Sequence, residues 1–365
     1  MKPLRIGINA LYLIPGGVGG TEIYLRSLLQ AMAQCSSDYE CVVFSNLETG
    51  ADATPQVPHF TTAVQPVSAR NRVARILWEQ TGLPAAASRH RIDVMLNPGF
   101  TAPLLSPCES VTVFHDLQHK RHPEYFRWFE RPFWRLLLFA SAVRPGKLIA
   151  VSGSTRDDLL HYYPVETQKV TVIPHGVSED FFQLNATRDG DYLLCVSTLH
   201  PHKNLEQLIR AFPRFHEENP GLRLVMAGMR GFHSEQLEAL IVELGMSRWI
   251  EVTGWIERSK LLDLYRHARA FCYPSTFEGF GMPILEAMAA GLPTICSNRE
   301  PMSWVAGGAG LLFDPESNDS LLDAMRRALV DQEICKLGPP RARQFSWHAA
   351  AEATIKVLRE AALAE

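Results

Sequence analysis

The sequence predicts an α/β protein built from two doubly wound parallel-sheet domains facing a cleft. Short apolar runs alternate with longer helical patterns along most of the chain. That alternation implies parallel sheets covered by helices on both faces. The pattern restarts near residue 190, so there are two such sheets. A length of 365 residues with 46% apolar content supplies two ordinary cores.

The first domain spans 1–178. "LRIGIN" (4–9), "CVVFS" (41–45), "DVMLN" (93–97), "SVTVFH" (110–115) and "KLIAVS" (147–152) read as strands. Helical patterns such as "TEIYLRSLLQAMAQ" (21–34) separate most of them. "KVTVIPHGV" (169–177) enters a linker at roughly 174–190. The second domain spans 179–345. Its strands are "YLLCVS", "LRLVMAG", "RAFCYPS" and "PTICS", and its helices "NLEQLIRAFPRFHE", "SEQLEALIVELG" and one opened near Pro283. Residues 346–365 form a last helix, capped by Ser346, that crosses back to the first domain. In folds of this kind ligands bind at the carboxyl ends of the strands.

The formal net charge of −3 gives no global attraction to nucleic acid. The seven cysteines form no CxxC pair and sit partly in apolar runs, which suits free thiols in a reducing cytosol. No His/Cys cluster has zinc-site spacing. The opening "MKPLRIGINALYL" reads as a buried strand rather than a signal peptide, because Gly7 and Asn9 interrupt it. No apolar run reaches the ~18–20 residues of a membrane span. The expected location is the cytoplasm, with peripheral contact at the inner face of a membrane as a second reading.

"EGFGMPILE" (278–286) holds two carboxylates at the ends of a double-glycine turn. Gly279 and Gly281 permit a tight turn and close approach of a ligand to backbone. Pro283 suits the first position of a helix over 283–290, and Gly291 its end. The helix mouth offers N–H groups and a positive dipole end to a phosphate. Pro283 has no N–H, so the donors expected are Phe280, Gly281, Met282 and Ile284. A nucleotide diphosphate seated there would leave Glu278 and Glu286 near its two organic ends, where carboxylates accept from sugar diols. The alternative is a turn cap and a solvated helix residue.

This stretch resembles the E-x7-E motif of retaining glycosyltransferases of the GT-B fold, family 4, and the resemblance covers nearly the whole chain. It implies two Rossmann-like domains, an acceptor side first and a donor side second. It implies that Glu278 contacts donor-sugar hydroxyls, that Glu286 contacts the ribose, and that the amides of Phe280 and Gly281 face the sugar and phosphates. "STLHPHKNLEQLI" (197–209) follows a strand and opens a helix. By spacing Lys203 reads as a surface lysine and Asn204 as an N-cap. "PHKNL" is similar to the family's "PRKNL", however, whose lysine binds the diphosphate. The donor set implied is Ser197, Thr198, Lys203, Asn204, Glu278, Gly279, Phe280, Gly281, Met282, Pro283, Ile284 and Glu286. His202 stands where the family has Arg, and no Arg occurs from 195 to 201. Arg230 and Arg258 are the candidates to supply a second cation.

"TVFHDLQHKRHPEYF" (112–126) resembles the family's HD…HPE segment, whose first histidine lies beside the donor sugar. His115 therefore joins Lys203 and Glu278 as a catalytic candidate, although a lone His is more often structural. His119 and His122 do not complete a metal site with it. "PGGVGGTEIYL" (15–25) is similar to the family's acceptor-side loop, with Gly16, Gly17, Gly19 and Gly20, and Asp116 is grouped with it. "RWFERPFWRLLLFASAVRPGK" (127–147) interleaves Arg with aromatics. It reads first as a core helix with arginine stems over apolar surface. A membrane-facing surface is the second reading and a nucleic-acid contact the third. His175 stands where Asn is common in the family.

The resemblance implies sugar transfer from a nucleoside-diphosphate sugar to a hydroxyl of a glycan or lipid-linked acceptor, with retention. No metal is expected, because no aspartate pair or His/Cys constellation stands at the diphosphate seat and Lys203 with the helix N-terminus supplies positive charge there; no cofactor is expected either. Mannose from GDP-mannose is the first expectation, because the HD…HPE and "PHKNL" combination looks most like surface-polysaccharide mannosyltransferases. UDP-sugars follow. A sugar-nucleotide epimerase would share the architecture but need no acceptor. A nucleotide-sugar-binding protein would never turn over.

Overall fold

The computed structural model describes residues 3–17, 19–36, 38–125 and 131–363. The chain divides into two compact units, Met1–Gly176 with Ser346–Glu365, and Val177–Phe345. The first is built on β1 (Leu4–Asn9), β2 (Tyr39–Ser45), β3 (Phe60–Val64), β4 (Val94–Asn97), β5 (Glu109–Phe114), β6 (Lys147–Ala150) and β7 (Val170–Val172). They lie in the order β3-β2-β1-β4-β5-β6-β7, every pair parallel. The second carries β8 (Tyr192–Val196), β9 (Arg223–Ala227), β10 (Ile250–Gly254), β11 (Ala270–Tyr273), β12 (Thr294–Ser297) and β13 (Leu311–Phe313). Their order is β10-β9-β8-β11-β12-β13, again all parallel.

Inner strands such as β4, β11 and β12 are buried along their whole length. This is why they read as continuous apolar runs rather than alternating ones. Strands β3, β10 and β13 had no clear signal in the sequence. All three are sheet edges. Their residues are partly exposed, in "FTTAV" and "IEVTG" above all, so the apolar run that marks an inner strand is missing.

The helix Leu205–Glu218 shows how the second unit closes. Leu205, Leu208, Ile209, Phe212 and Phe215 recur at helical spacing and are buried against the sheet. Truncating Phe212 to Ala would cost about 3–5 kcal/mol.

The last helix, Trp347–Ala362, begins where expected. The Ser346 hydroxyl accepts from the amides of His348 and Ala349 at 3.1 and 3.3 Å. Its apolar face packs on the helix Gly20–Gln34 and over β4, β5 and β6, so it belongs to the first unit. Gly176 admits it: a Cβ there would lie 2.1 Å from the Trp347 nitrogen.

Every cysteine is a free thiol, with Cys41, Cys195, Cys272 and Cys296 buried. No helix among the described residues is long and apolar enough to cross a membrane. Of the arginine–aromatic stretch, 127–130 lie outside the described residues. The helix Arg131–Val143 buries Leu137, Leu138 and Ala142 but exposes Phe133, Leu136 and Phe139. The core reading therefore accounts for one side of that helix only.

Candidate active site

In the second unit the strand order reverses between β8 and β11. Connections from these neighbours leave in opposite directions, which opens a crevice at their carboxyl ends. The two stretches singled out in the sequence both start there. Lys203 follows β8, and "EGFGMPILE" follows β11. The loops are tied at one carbonyl. His202 O accepts from the Thr276 amide at 2.8 Å, the Thr276 hydroxyl at 3.0 Å and the Ser275 hydroxyl at 3.1 Å. Ser297 at the end of β12 donates to Ser275 O at 2.6 Å and holds the second loop from behind.

This tie brings Lys203 onto Glu278. The ammonium nitrogen lies 2.6 Å from Glu278 Oε1, and the side chains are only 12% and 13% exposed. Tyr273, the last residue of β11, completes a triangle. Its hydroxyl donates to Glu278 Oε1 at 2.7 Å and accepts from Lys203 at 3.3 Å. Burial alone would raise the Glu278 pKa. The charges of Lys203 and His202 and the hydrogen bonds from Lys203 and Ser275 more than reverse this and hold it below 4.5. Glu278 is therefore an ionised acceptor at neutral pH. Lys203 has three N–H donors, of which Glu278 and Tyr273 take two.

Gly281 has φ 108°, in the left-handed region where a side chain is strained. It caps the helix Met282–Ala289, which starts one residue before the expected 283, with Pro283 second. The Ile284 amide already donates to Gly281 O at 3.0 Å. The Ile284 amide is thus already engaged, which leaves those of Gly281 and Met282 as the expected donors at the helix mouth. The Phe280 ring is buried and packs on Trp304 and Phe345 at 6.2 and 5.8 Å. The ring anchors the turn from which the Phe280 amide projects.

Glu286 lies one turn into the helix and is 9% exposed. Its Oε2 accepts from the buried Tyr265 hydroxyl at 2.9 Å. Burial raises its pKa, against the Tyr265 hydrogen bond and the charge of Arg258. Ser197 and Thr198 leave β8, and the Ser197 hydroxyl donates to Thr198 O at 3.0 Å. Gly228 makes room beside them, since a Cβ there would meet Ser197 O at 2.1 Å.

Three expectations change in detail. Asn204 stands at the N-cap of Leu205–Glu218 but makes no capping bond. It is left-handed at φ 53°, and its amide donates to Gln207 Oε1 at 2.6 Å. Arg230 pairs with Glu238 at 2.5 Å and Arg258 with Asp180 at 3.1 Å, so each candidate second cation already has a carboxylate. Tyr273 and Tyr265 were missed. The available signal was a tyrosine two residues before the Ser275 turn, at the strand end that faces the crevice.

In the first unit, His115 follows β5 and is 8% exposed. Its Nε2 lies 2.9 Å from Pro98 O, which fixes the proton on Nε2 and leaves Nδ1 as acceptor. The ring packs against Tyr24, Phe100 and His175 at 4.7, 5.2 and 5.5 Å. Burial lowers its pKa to about 4, against the hydrogen bond to Pro98, so it is neutral at pH 7. His119 reaches Tyr163 and His122 reaches Glu124, at 2.6 and 3.0 Å. Neither converges on His115. Asp116 accepts from the Gln118 amide at 2.9 Å and shapes its own turn.

The glycine loop precedes the helix Gly20–Gln34, with Gly16 and Gly19 at φ 70° and 61°. The Gly17 amide donates to Ile14 O at 2.8 Å. Glu22 reaches back to accept from the Gly16 amide at 2.9 Å and also holds Arg26 at 2.9 Å. A carboxylate thus occupies the positive end of this helix, which disfavours an anion there.

Comparison with known proteins places both halves. Residues 18–181 match the family model "Glycosyltransferase Family 4" and residues 177–345 match "Glycosyl transferases group 1". The chain is 28% identical over 266 residues to the O-antigen chain mannosyltransferase B of Escherichia coli, covering 68% of this chain and 70% of that protein. Its fold is similar to that of sucrose-phosphate synthase from Thermosynechococcus elongatus, with TM-score 0.77 and 20% identity over 98% of both chains. It is also similar to Anabaena Alr3699/HepE in complex with UDP and glucose, with TM-score 0.75 and 18% identity over 98% of this chain and 100% of that one. The chain belongs to the family 4, group 1 glycosyltransferases of the GT-B fold.

Proposed function

We propose that the protein transfers mannose from GDP-mannose to a hydroxyl of a glycan or lipid-linked glycan, with retention and without a metal. The observation that carries this reading is the Lys203–Glu278 pair at the β8/β11 crevice, 2.6 Å apart beside the mouth of Met282–Ala289. It sets a cation and an ionised acceptor side by side, as a sugar diphosphate requires. Lys203 and the amides of Gly281 and Met282 offset charge on the departing diphosphate. Glu278, held ionised, accepts from hydroxyls of the transferred sugar, and Glu286 accepts from the ribose.

Retention fits an attack from the leaving-group face, with the leaving phosphate oxygen taking the acceptor proton. No protein nucleophile is then needed, unlike a retaining glycosidase. His115 of the first unit is neutral at pH 7, so its Nδ1 can accept a hydrogen bond but not donate a proton. The donor assignment is supported by the relative whose name is a mannosyltransferase.

A UDP-sugar donor is the second reading, favoured by the similar fold solved with UDP and glucose. A panel of nucleotide sugars, scored by thermal shift and by slow hydrolysis, separates the two. GDP-mannose should give the largest shift and release GDP. A larger shift with a UDP-sugar would replace the donor. Release of an epimerised nucleotide sugar would replace the reaction.

A further inference from the structure

The first unit carries an exposed surface made of three segments. The helix Arg72–Arg89 shows Val73 and Leu77, 69% and 61% exposed and one turn apart. The helix Arg131–Val143 shows Phe133, Leu136 and Phe139, and the loop before β5 shows Leu104 and Leu105. These segments are joined. The Arg72 guanidinium lies 4.1 Å from the Trp134 ring centroid. Gln80 bonds to Ala102 O and to the Leu104 amide at 3.2 and 2.8 Å. The Ser141 hydroxyl accepts from the Ala102 amide at 3.0 Å, and Arg144 donates to Leu104 O. The exposed apolar side chains therefore belong to one connected region.

The charge of this region is unlike that of the chain. Stretches 70–81, 101–108 and 131–144 contain a single acid, Glu79, in a protein of net charge −3. Glu79 is buried, and its Oε2 accepts from Thr101 at 3.0 Å. Arg70, Arg72, Arg135 and Arg144 are exposed. Large apolar side chains that share their segments with exposed arginines, with no exposed acid among the described residues of these stretches, fit a surface that is apolar below and anionic above. A docking protein would require acids of its own placed to match, whereas a layer of anionic headgroups offers negative charge everywhere.

We propose that this face docks on a bilayer containing anionic phospholipid, with Phe133, Leu136, Phe139, Val73 and Leu77 entering the headgroup boundary. It deepens the proposed function, resting on it only for the lipid-linked acceptor, and it is tested separately. The full chain is sedimented with vesicles of phosphatidylcholine alone or mixed with phosphatidylglycerol, at low and high salt. The wild type should bind the mixed vesicles, release in high salt and ignore the neutral ones. Leu136→Asp and Leu77→Asp should each weaken binding by at least about tenfold, and Arg70→Glu with Arg135→Glu by a similar factor. All four residues are exposed, so melting temperatures should not move, and transfer to a short soluble acceptor should be unchanged.

Wild-type indifference to anionic vesicles would overturn the proposal, as would full binding by Leu136→Asp. Equal binding to neutral vesicles would remove its electrostatic half. A wild-type dimer in light scattering that Leu136→Asp converts to monomer would reassign the face to a second copy. Loss of sugar transfer from every donor with vesicle binding intact would instead count against the proposed function alone.

Discussion

Replacing Lys203 by Met tests the central pair, because the residue that holds Glu278 is also the proposed contact of the donor diphosphate. The substitution leaves Glu278 13% exposed without its cation. Breaking a buried ion pair from one side costs about 3–5 kcal/mol, and the residual exposure here brings the expectation to about 2–4 kcal/mol. Lys203→Met with Glu278→Gln removes both charges and should recover most of that loss. The sign of the pH dependence adds a sharper readout. In the wild type the Glu278 pKa is below 4.5, so its contribution is complete above 4.5 and lost as pH falls through the folded value. In Lys203→Met, burial is opposed mainly by His202 and the Glu278 pKa should rise above 4.5. The second unit should then lose stability as pH rises from about 4.5, the reverse of wild type. Urea unfolding followed by hydrogen exchange in 177–345 reads this unit on its own. Donor binding should be lost in both the single and the double variant. A single variant that loses less than about 0.5 kcal/mol and keeps the wild-type pH sign would refute the buried-pair argument. Normal transfer in the double variant would remove Lys203 from the donor site.

Three further outcomes are expected. Glu286 has a raised pKa, and only its ionised form accepts with both oxygens. Donor affinity measured by calorimetry should therefore fall as pH drops through that pKa, and Glu286→Gln should bind more weakly but without this pH dependence. His115 and His119 both have pKa values lowered to about 4, mainly by burial, so the unfolded chain takes their protons first as pH falls from 6.5. The first unit should lose about 2 kcal/mol per histidine between pH 7 and pH 5, in a thermal scan that His115→Phe partly flattens. Equal stability at the two pH values would contradict the buried neutral rings. Excess EDTA should leave initial rates within a factor of about two, ~0.4 kcal/mol in the barrier. Loss of activity restored by magnesium would move the charge on the diphosphate from Lys203 and the helix mouth to a metal.

The strand order explains what could be read from the sequence and what could not. Inner strands, helix caps and the glycine turn are local signals: Gly281 must be left-handed and Ser346 must cap, whatever surrounds them. The turn around Glu278 was legible for the same reason, whereas Lys203 read by spacing as a surface lysine and stood out only through its resemblance to the family's "PRKNL". Their meeting was not, because 75 positions separate them and only the β8–β11 pairing makes their loops neighbours. The same holds for Tyr273. As a letter in "FCYPS" it is one more strand aromatic, and it becomes part of the site only because a parallel sheet directs every strand end to one edge. Edge strands failed for the opposite reason. Half-exposed residues in β3 and β10 lack the apolar continuity that marks their inner neighbours. His202 shows a limit of reasoning by substitution. It stands where the resemblance implied an arginine, yet it is buried, its carbonyl ties the two loops, and its charge helps keep Glu278 ionised. A side chain that looks like a loss in the sequence thus adds to the effect of Lys203, which is the larger influence holding Glu278 ionised and the cation in contact with it.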